Sequence, residues 1–340
     1  MASYNRLNPD DLVVSTDKVV TNAWSNNTNI LTTNFTSSTQ AVYTNATDQG
    51  NFFIDVRAGE DTVSSSIEYT ISYGHKAGSG SQNFTNTAGA LGNTATKVIY
   101  RQYAQLVFGD ESSNFTFNSF ESEDIWVINV ARGRYKHALK AGSLNLKLND
   151  GTNDYFLTDD SVTTSGSATI TNLGRQFNLV SGSDGVMLGT NLNQTTPGSG
   201  SFGFVYPEAG LIIFNGEALR NIREVYWGKG TAFSSEKLVE KLFDAVVTGA
   251  SFELDTEERV SSQFMFVRVK NSEFNYSSNP SYIDTNGNLN NTTMADSPTA
   301  YITTVGLYND DNNLLAVAKL SQPLRKDFTT EALIRVKLDY

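Results

Sequence analysis

Apolar and polar residues alternate with a period of two along much of this 340-residue chain. The alternation is clearest in residues 66–73, 143–148 and 333–338, and it is typical of strands that bury one face. Residues 124–130, around Trp126, form a strongly apolar run, which predicts a central strand of the first core. The pattern therefore predicts a mainly β fold.

Two pairs of apolar runs are joined by short polar links, which predicts β-hairpins. Residues 201–206 and 211–214 are connected by a segment that contains Pro207 and Gly210. Residues 302–308 and 314–320 flank a turn rich in Asn and Asp at 309–313. The chain then finishes in an alternating run, which predicts a last strand held in a sheet.

One segment has the pattern of a helix, at residues 233–244. Ser234 can accept a backbone hydrogen bond as the N-cap, and Phe233 can pack on Leu238 as a hydrophobic staple. Leu238, Leu242 and Phe243 then share one face. Residues 97–108 fit either a strand or a short helix.

These elements predict two or three β-sandwich or barrel-like domains with one or two short helices. The predicted organisation is a polar N-terminal segment at 1–50, a β-rich region at 51–215, a helical connector at 216–250 and a C-terminal β domain at 251–340. The first segment has two interpretations, a flexible arm or extended pieces that order against a neighbouring subunit. Trp24 is the candidate anchor within it, and the valines at 13–14 and 19–20 are weak strand signals.

Charge and composition exclude several classes of function. The formal net charge is −11, and an acidic chain repels both nucleic-acid phosphates and anionic lipid surfaces, so neither is an expected partner. There is no cysteine, which excludes disulfides, thiolate metal sites and a cysteine nucleophile. The first residues lack an apolar leader, so we expect synthesis in the cytoplasm.

Residues that could carry catalysis are few and scattered. The two histidines, His75 and His137, lie far apart and in different contexts, which does not suggest a catalytic triad. Neighbouring carboxylates on a strand point to opposite faces, so adjacent pairs do not form a glycosidase dyad by themselves. These pairs are Asp110–Glu111, Asp159–Asp160, Glu257–Glu258 and Asp310–Asp311. We predict no enzyme activity, and no catalytic, cofactor-binding or metal-binding residue.

Three other features have structural interpretations. Residues 284–288 resemble a calcium loop, but Gly287 is fourth rather than sixth and Ala295 replaces the glutamate, which favours a tight turn. The glycine-rich stretches at 74–93 and 182–200 lack the phosphate-loop ending. A basic cluster is more consistent with an acidic protein neighbour than with nucleic acid. Its members are Arg132, Arg134, Lys136 and Lys140.

Aromatic residues outside the strong strands are the positive signal for binding, since aromatic side chains contribute much of the energy of protein interfaces. Phe115, Phe117 and Phe120 alternate with polar residues, and Phe274 and Tyr276 lie in a polar segment. The alternative is that these rings fill the protein's own core.

Residues 303–320, which read TTVGLYNDDNNLLAVAKL, resemble a hairpin that recurs in phage tail and baseplate components. The basic link at 323–327 and the final strand at 333–340 are similar to the ends of those proteins. Residues 126–135 and 204–215 are similar to virion structural proteins of contractile-tailed phages (myoviruses) that infect marine cyanobacteria. The resemblance covers roughly a third of the chain and does not include the first 120 residues.

The resemblance implies a virion structural protein, first of all a baseplate wedge or tail component. Such a subunit would bind other tail proteins and further copies of itself, without a cofactor, and would be assembled into the virion in the host cytoplasm. A neck, collar or tail-fibre adaptor is the alternative within the class. A carbohydrate-binding receptor-recognition module and, last, a glycan-degrading tail enzyme are the alternatives from other classes.

Overall fold

The computed structural model describes residues 4–39, 53–60, 65–78, 95–118, 120–163, 168–188, 201–220 and 238–339. Strands hold 49% of the residues and helices 14%, so the predicted mainly β class is confirmed. The described residues contain three α-helices, which is more than the one or two that were predicted.

The strands and helices are numbered in chain order. The strands are β1 (Leu12–Asn22), β2 (Ile30–Leu31), β3 (Phe35–Thr39), β4 (Phe53–Arg57), β5 (Ile67–His75), β6 (Phe115–Phe117), β7 (Phe120–Ser122), β8 (Asp124–Val130), β9 (Ala138–Leu139), β10 (Asn145–Asn149), β11 (Asp154–Asp159), β12 (Thr169–Thr171), β13 (Gly174–Ser183), β14 (Val186–Met187), β15 (Gly203–Tyr206), β16 (Leu211–Asn215), β17 (Ser251–Glu253), β18 (Asp255–Val269), β19 (Ala300–Tyr308), β20 (Leu314–Lys326) and β21 (Ala332–Asp339). The helices are α1 (Ala95–Phe108), α2 (Gly216–Arg220) and α3 (Leu238–Gly249).

The chain divides into two compact units. The terminal unit consists of residues 1–18 and 259–340, and the central unit consists of residues 19–258. The first 18 residues therefore group with the C-terminal segment, whereas the sequence pattern assigned them to a range of their own. Pairing between strands that are far apart in sequence leaves no local signal, which is why the pattern does not reveal this grouping.

A large antiparallel sheet forms most of the central unit. Its strand order is β2-β17-β10-β11-β13-β15-β16-β8-β5-β4-β3, and β12 and β14 each pair with β13. The predicted central strand is confirmed, because β8 lies between β16 and β5 with Ile128 opposite Ile212 and Ile71. The predicted hairpin of residues 201–214 is confirmed as β15 and β16.

Helix α1 covers one face of this sheet, where residues 97–108 had fitted either a strand or a helix. Ile99, Tyr103 and Val107 recur every four residues, and all three are buried in one apolar cluster. Gly74 lies beneath the helix, where an added Cβ would stand 2.8 Å from the backbone nitrogen of Tyr100. The glycine therefore permits the close approach of α1 to β5.

Helix α3 lies in the region where the sequence predicts its clearest helix. Leu242 and Val246, one turn apart, are buried in the second and larger apolar cluster. Ser234 and Phe233 lie outside the described residues, so the predicted N-cap and staple stay predictions. None of the helices in the described ranges is both long enough and apolar enough to span a membrane.

Trp24 is an anchor, but within its own chain. Its indole Nε1 donates to the carbonyl oxygens of Phe252 at 2.9 Å and Asn29 at 3.0 Å. Its ring meets the ring of Phe252 edge-on at 4.8 Å, and only 2% of the residue is exposed. The turn that contains Trp24 is thus held against the core of the central unit.

Candidate interaction surface

The terminal unit contains the pairing of β18 residues 262–269 with β21 and the separate hairpin β19–β20. Strands β18 and β21 run antiparallel, with Met265 opposite Val336 and Val267 opposite Ile334. Because side chains alternate across a strand, this register collects the apolar residues on one face. Met265, Val336 and Ile334 are buried there, whereas Leu333 on the other face is exposed.

The hairpin presents a matching apolar face. Ile302, Val305 and Leu307 are half-buried and pack against the cluster around Met265 and Ile334. The register shifts between Ile302 and Thr304, which marks a β-bulge. The bulge inserts one extra residue, so Ile302 and Val305 share a face although they are three positions apart. The predicted hairpin and the predicted last strand are both confirmed.

An open groove of about 1140 Å³ lies within the terminal unit. Aliphatic side chains, among them Met265, Val267 and Ile334, line its floor. Its lining also includes two exposed tyrosines, Tyr4 and Tyr308, whose rings meet edge-on with centroids 5.0 Å apart. The groove is therefore a concave apolar surface with aromatic and polar groups among its edges.

The outer surfaces of the terminal unit carry many large apolar side chains. Leu315 is 68% exposed, Leu333 64% and Val14 61%. Among the described residues of this unit, the exposed large apolar side chains are Tyr4, Leu12, Val13, Val14, Phe274, Tyr276, Tyr301, Tyr308, Leu314, Leu315, Val317, Phe328 and Leu333. Single exposed apolar side chains are normal, but a concentration of them is typical of surfaces that bind other molecules.

A buried lysine fixes the loop that follows β18. The Lys326 ammonium, with no exposed area, donates to the carbonyl oxygens of Asn271 and Asp327, each at 2.9 Å, and to Asn275 Oδ1 at 2.7 Å. These acceptors satisfy all three donors of the ammonium group. Lys326 is thus part of the framework that supports the surface.

Asp327 directly follows β20 and begins a turn that its side chain stabilises by hydrogen bonds. Its Oδ1 accepts hydrogen bonds from the hydroxyls of Thr330 at 2.6 Å and Thr329 at 2.7 Å. These bonds, with Thr330 contributing most, hold the pKa of Asp327 at about 2. The turn therefore keeps a charged carboxylate at the base of the last strand.

The two histidines lie in separate local settings. His75 Nδ1 accepts a hydrogen bond from the backbone N–H of Ala77 at 3.0 Å. His137 is an exposed residue just before β9. Nothing in these positions brings the two imidazoles into one constellation.

The buried carboxylates of the central unit are used in structural bonds. Asp159 accepts the backbone N–H groups of Gly142, at 2.9 Å, and of Ser161, and burial raises its pKa. Glu257 bonds Arg175 at 2.9 Å, and Arg175 also bonds Glu208 at 2.6 Å. Glu68 accepts from the backbone and hydroxyl of Ser25.

The remaining predicted carboxylate pairs lie at turns. Asp110 accepts from Ser112 in the turn after α1, and the pair Asp310–Asp311 lies in the turn of the β19–β20 hairpin. Asp284 accepts the backbone N–H groups of Asn286 and Asn288, both at 2.8 Å, so the predicted tight turn is confirmed. No group of three or more His, Asp or Glu side chains in the described ranges is arranged to hold a metal ion.

The basic cluster meets carboxylates of its own chain. Lys136 bonds Glu258 at 2.7 Å, and Lys140 lies 3.6 Å from Asp255. Arg134 lies 3.7 Å from Glu68, and Arg132 stacks over the ring of Tyr135. Three of the four basic residues thus lie near carboxylates of their own chain, and the acidic protein neighbour stays a prediction.

The aromatic residues singled out from the sequence divide between core and surface. Phe115 and Phe117 are fully buried beside α1, so they fill the core. Phe274 and Tyr276 are exposed in the terminal unit. The glycine-rich stretches lie largely outside the described residues.

Comparisons with known protein families, with curated proteins and with solved structures gave no match. The interaction surface therefore has to be interpreted from its own chemistry. Sequence reasoning missed the groove, because its walls come from distant segments. The valine pairs of β1 were the one local signal of an exposed apolar strand.

Proposed function

We propose that this protein is a structural subunit of a phage tail, of the baseplate wedge type, which docks neighbouring tail proteins through its terminal unit. The observation that carries the proposal is the concentration of exposed apolar side chains on that unit. A soluble protein that works alone rarely leaves so much apolar surface in water, whereas a subunit buries it on assembly.

The resemblance noted in the sequence adds to this argument. Residues 303–320, which resemble a hairpin of tail and baseplate components, form β19 and β20 of the terminal unit. Leu314, Leu315 and Val317, all in that segment, are exposed. The segment with the resemblance thus also contributes to the surface available for docking.

A non-enzymatic role fits the way the buried charged groups are used. The carboxylates of Asp159, Glu257 and Glu68 bind backbone N–H groups, an arginine or a serine of the same chain. Carboxylates engaged in this way organise turns and strand ends. A neck, collar or fibre-adaptor position within the particle would use the same surface.

A carbohydrate-binding module is the second candidate, and the groove is the observation that favours it. Tyr4 and Tyr308 lie beside Asn5, Asn309 and Asp310 in its lining, and aromatic rings with polar groups are what sugars bind. Against it, aliphatic side chains such as Val267 and Ile334 line the floor, and these suit an apolar protein segment better than a hydroxyl-rich sugar.

Purified phage particles test the proposal. In phage engineered with Leu315→Ser and Val317→Ser, we expect at least a tenfold drop in copies of this chain per particle, measured by quantitative mass spectrometry. The matched control is Ile170→Ser and Val186→Ser, two exposed apolar residues of the central unit, which should leave the copy number unchanged. Absence of the unsubstituted chain from particles would contradict the proposal.

A glycan array with the purified protein tests the second candidate. Binding that Tyr308→Ala abolishes and Tyr301→Ala leaves intact would favour the sugar-binding module, because only Tyr308 lines the groove. If no glycan is retained, that candidate is excluded.

A further inference from the structure

Strand β1 is exposed to an unusual degree. Ten of its eleven residues are exposed, and only Ser15 is half-buried. In the part of the chain that the structure describes, β1 pairs with the single strand β18, so its outer edge has no strand beside it. Unpaired backbone groups on such an edge are a template for another strand.

The two edges of this sheet, in which the short strand β9 also pairs with β18, differ in how they resist pairing. On the far edge, β21 projects Arg335 and Lys337 from its exposed face, and charged side chains of this kind protect an edge strand. Strand β1 has one acid and one base, Asp17 and Lys18, and no proline. Its local charge is balanced, so a second strongly acidic chain is not repelled there.

Four of the five apolar residues of β1 are arranged symmetrically about Thr16, whereas the fifth, Val14, has Lys18 at the matching position. Leu12 and Val13 stand four and three positions before it, and Val20 and Val19 stand four and three positions after it. We propose that two copies of this chain pair edge to edge through β1, antiparallel, with the two-fold axis at Thr16. The proposal rests on the proposed assembly function and names one partner in it, a second copy.

In this register every contact is made twice, as a two-fold interface requires. Leu12 faces Val20 of the other copy, and Val13 faces Val19. Thr16 faces Thr16, and threonine pairs are favourable cross-strand neighbours. Each face of the joined strands therefore gains apolar pairs, and the two sheets become one continuous sheet.

The neighbouring registers of the two β1 strands are less favourable than the one centred on Thr16. A shift that places the axis at Asp17 sets two carboxylates directly opposite each other, which is destabilising. A shift to Lys18 does the same with two ammonium groups. An axis at Ser15 puts Val13 opposite Asp17 and Leu12 opposite Lys18, so the apolar pairs are lost.

Because the chain has no cysteine, single cysteine substitutions in β1 can report the strand register by disulfide formation, with no native thiol to compete. Under mild oxidation we expect Thr16→Cys to form a covalent dimer, of twice 37.2 kDa, at least tenfold more than Val14→Cys does. The Cα atoms of opposite residues lie about 5 Å apart, within the roughly 7 Å limit for a disulfide. The two copies of Val14, on the same face as Thr16, would lie four positions apart along the paired strands. More dimer from Asp17→Cys than from Thr16→Cys, or equal amounts from all three variants, would overturn the proposal.

Sedimentation equilibrium provides a second readout. The unsubstituted protein and the control Ile170→Lys should be dimers, and Val13→Lys with Val19→Lys should be monomeric because the pairing would oppose lysines. These positions are exposed, so circular dichroism should show an intact fold. A monomeric unsubstituted protein overturns the dimer but not the tail role, whereas absence from particles overturns the tail role alone.

Discussion

The two units of this chain use apolar residues in different ways. The central unit buries them in two clusters around the large sheet, one of which includes Trp24, Trp126 and Phe252. The core cluster of the terminal unit has four buried members, Met265, Val269, Ile334 and Val336. Yet the terminal unit, less than half as long, exposes more of the large apolar side chains among the described residues. The central unit thus buries most of its apolar residues in its own core, whereas the terminal unit leaves more of them exposed.

Charge follows the same division. The terminal unit contains 10 basic and 11 acidic residues, and the central unit contains 15 and 25. Nearly all of the net charge of −11 therefore belongs to the central unit. Under the proposed assembly role, we expect the acidic central units to repel one another and the nearly neutral terminal unit to carry no long-range electrostatic penalty on docking.

The largest effect that this comparison predicts is in the central core. Phe252→Ala removes a fully buried ring that contacts Trp24 at 4.8 Å and Tyr69 at 5.3 Å. We expect a loss of about 3–5 kcal/mol in the free energy of unfolding. Chemical denaturation monitored by tryptophan fluorescence measures it, since Trp24 lies beside the ring. A loss below about 1 kcal/mol would mean that this cluster is not the stabilising core.

The next effect is confined to the terminal unit. Lys326→Met leaves the acceptors on Asn271, Asn275 and Asp327 without their donor. Unsatisfied buried polar groups cost about 1–3 kcal/mol, so we expect faster hydrogen exchange in residues 271–275. Lys319→Met, at an exposed position on the same strand, is the matched control. Equal exchange in the two variants would contradict a structural role for Lys326.

A pH titration tests the turn at the base of the last strand. The Thr330 and Thr329 hydroxyls hold the pKa of Asp327 at about 2, below its unfolded value of about 3.9. The depressed pKa means that the charged turn stabilises the fold above about pH 4, and that this stability is lost as the pH falls towards 2. Carboxyl NMR should report the low pKa, and Thr330→Val should raise it. An unchanged pKa in that variant would refute the assigned cause.

The smallest effect on stability is expected at the exposed apolar surface. Leu333→Ser removes a side chain that is mostly in water, so the free energy of unfolding should change by less than about 0.5 kcal/mol. Thermal unfolding measures this, with Phe252→Ala as the contrasting variant. A loss as large as that of the core variant would show that Leu333 packs within its own unit.

Local patterns predict the elements of this fold well where one face is buried. The hairpin β19–β20, the last strand β21 and the central strand β8 all follow from alternation or from an apolar run. Helix α1 was ambiguous, since short apolar runs fit both periods. Its packing on the sheet depends on the close approach to Gly74, on a strand some 25 positions earlier, which no local pattern shows.

The interaction surface could not be predicted in the same way. Tyr4 meets Tyr308, and Met265 meets Val336, across separations that no local pattern encodes. Exposure is also a property of the folded chain, since Leu333 and Ile334 are similar as sequence but lie on opposite faces of β21. The valines of β1 signal a strand, and only the fold shows that they are exposed.

Hydroxyl-radical footprinting, with the free protein compared with purified phage particles, tests the central claim most directly. The account predicts that Tyr301, Leu315 and Leu333 are oxidised readily in the free chain and at least fivefold more slowly in particles. Ile170 of the central unit, the most exposed of the large apolar residues at 75%, serves as the internal reference. Equal oxidation of the terminal-unit residues in both states would contradict the claim that partners cover this surface.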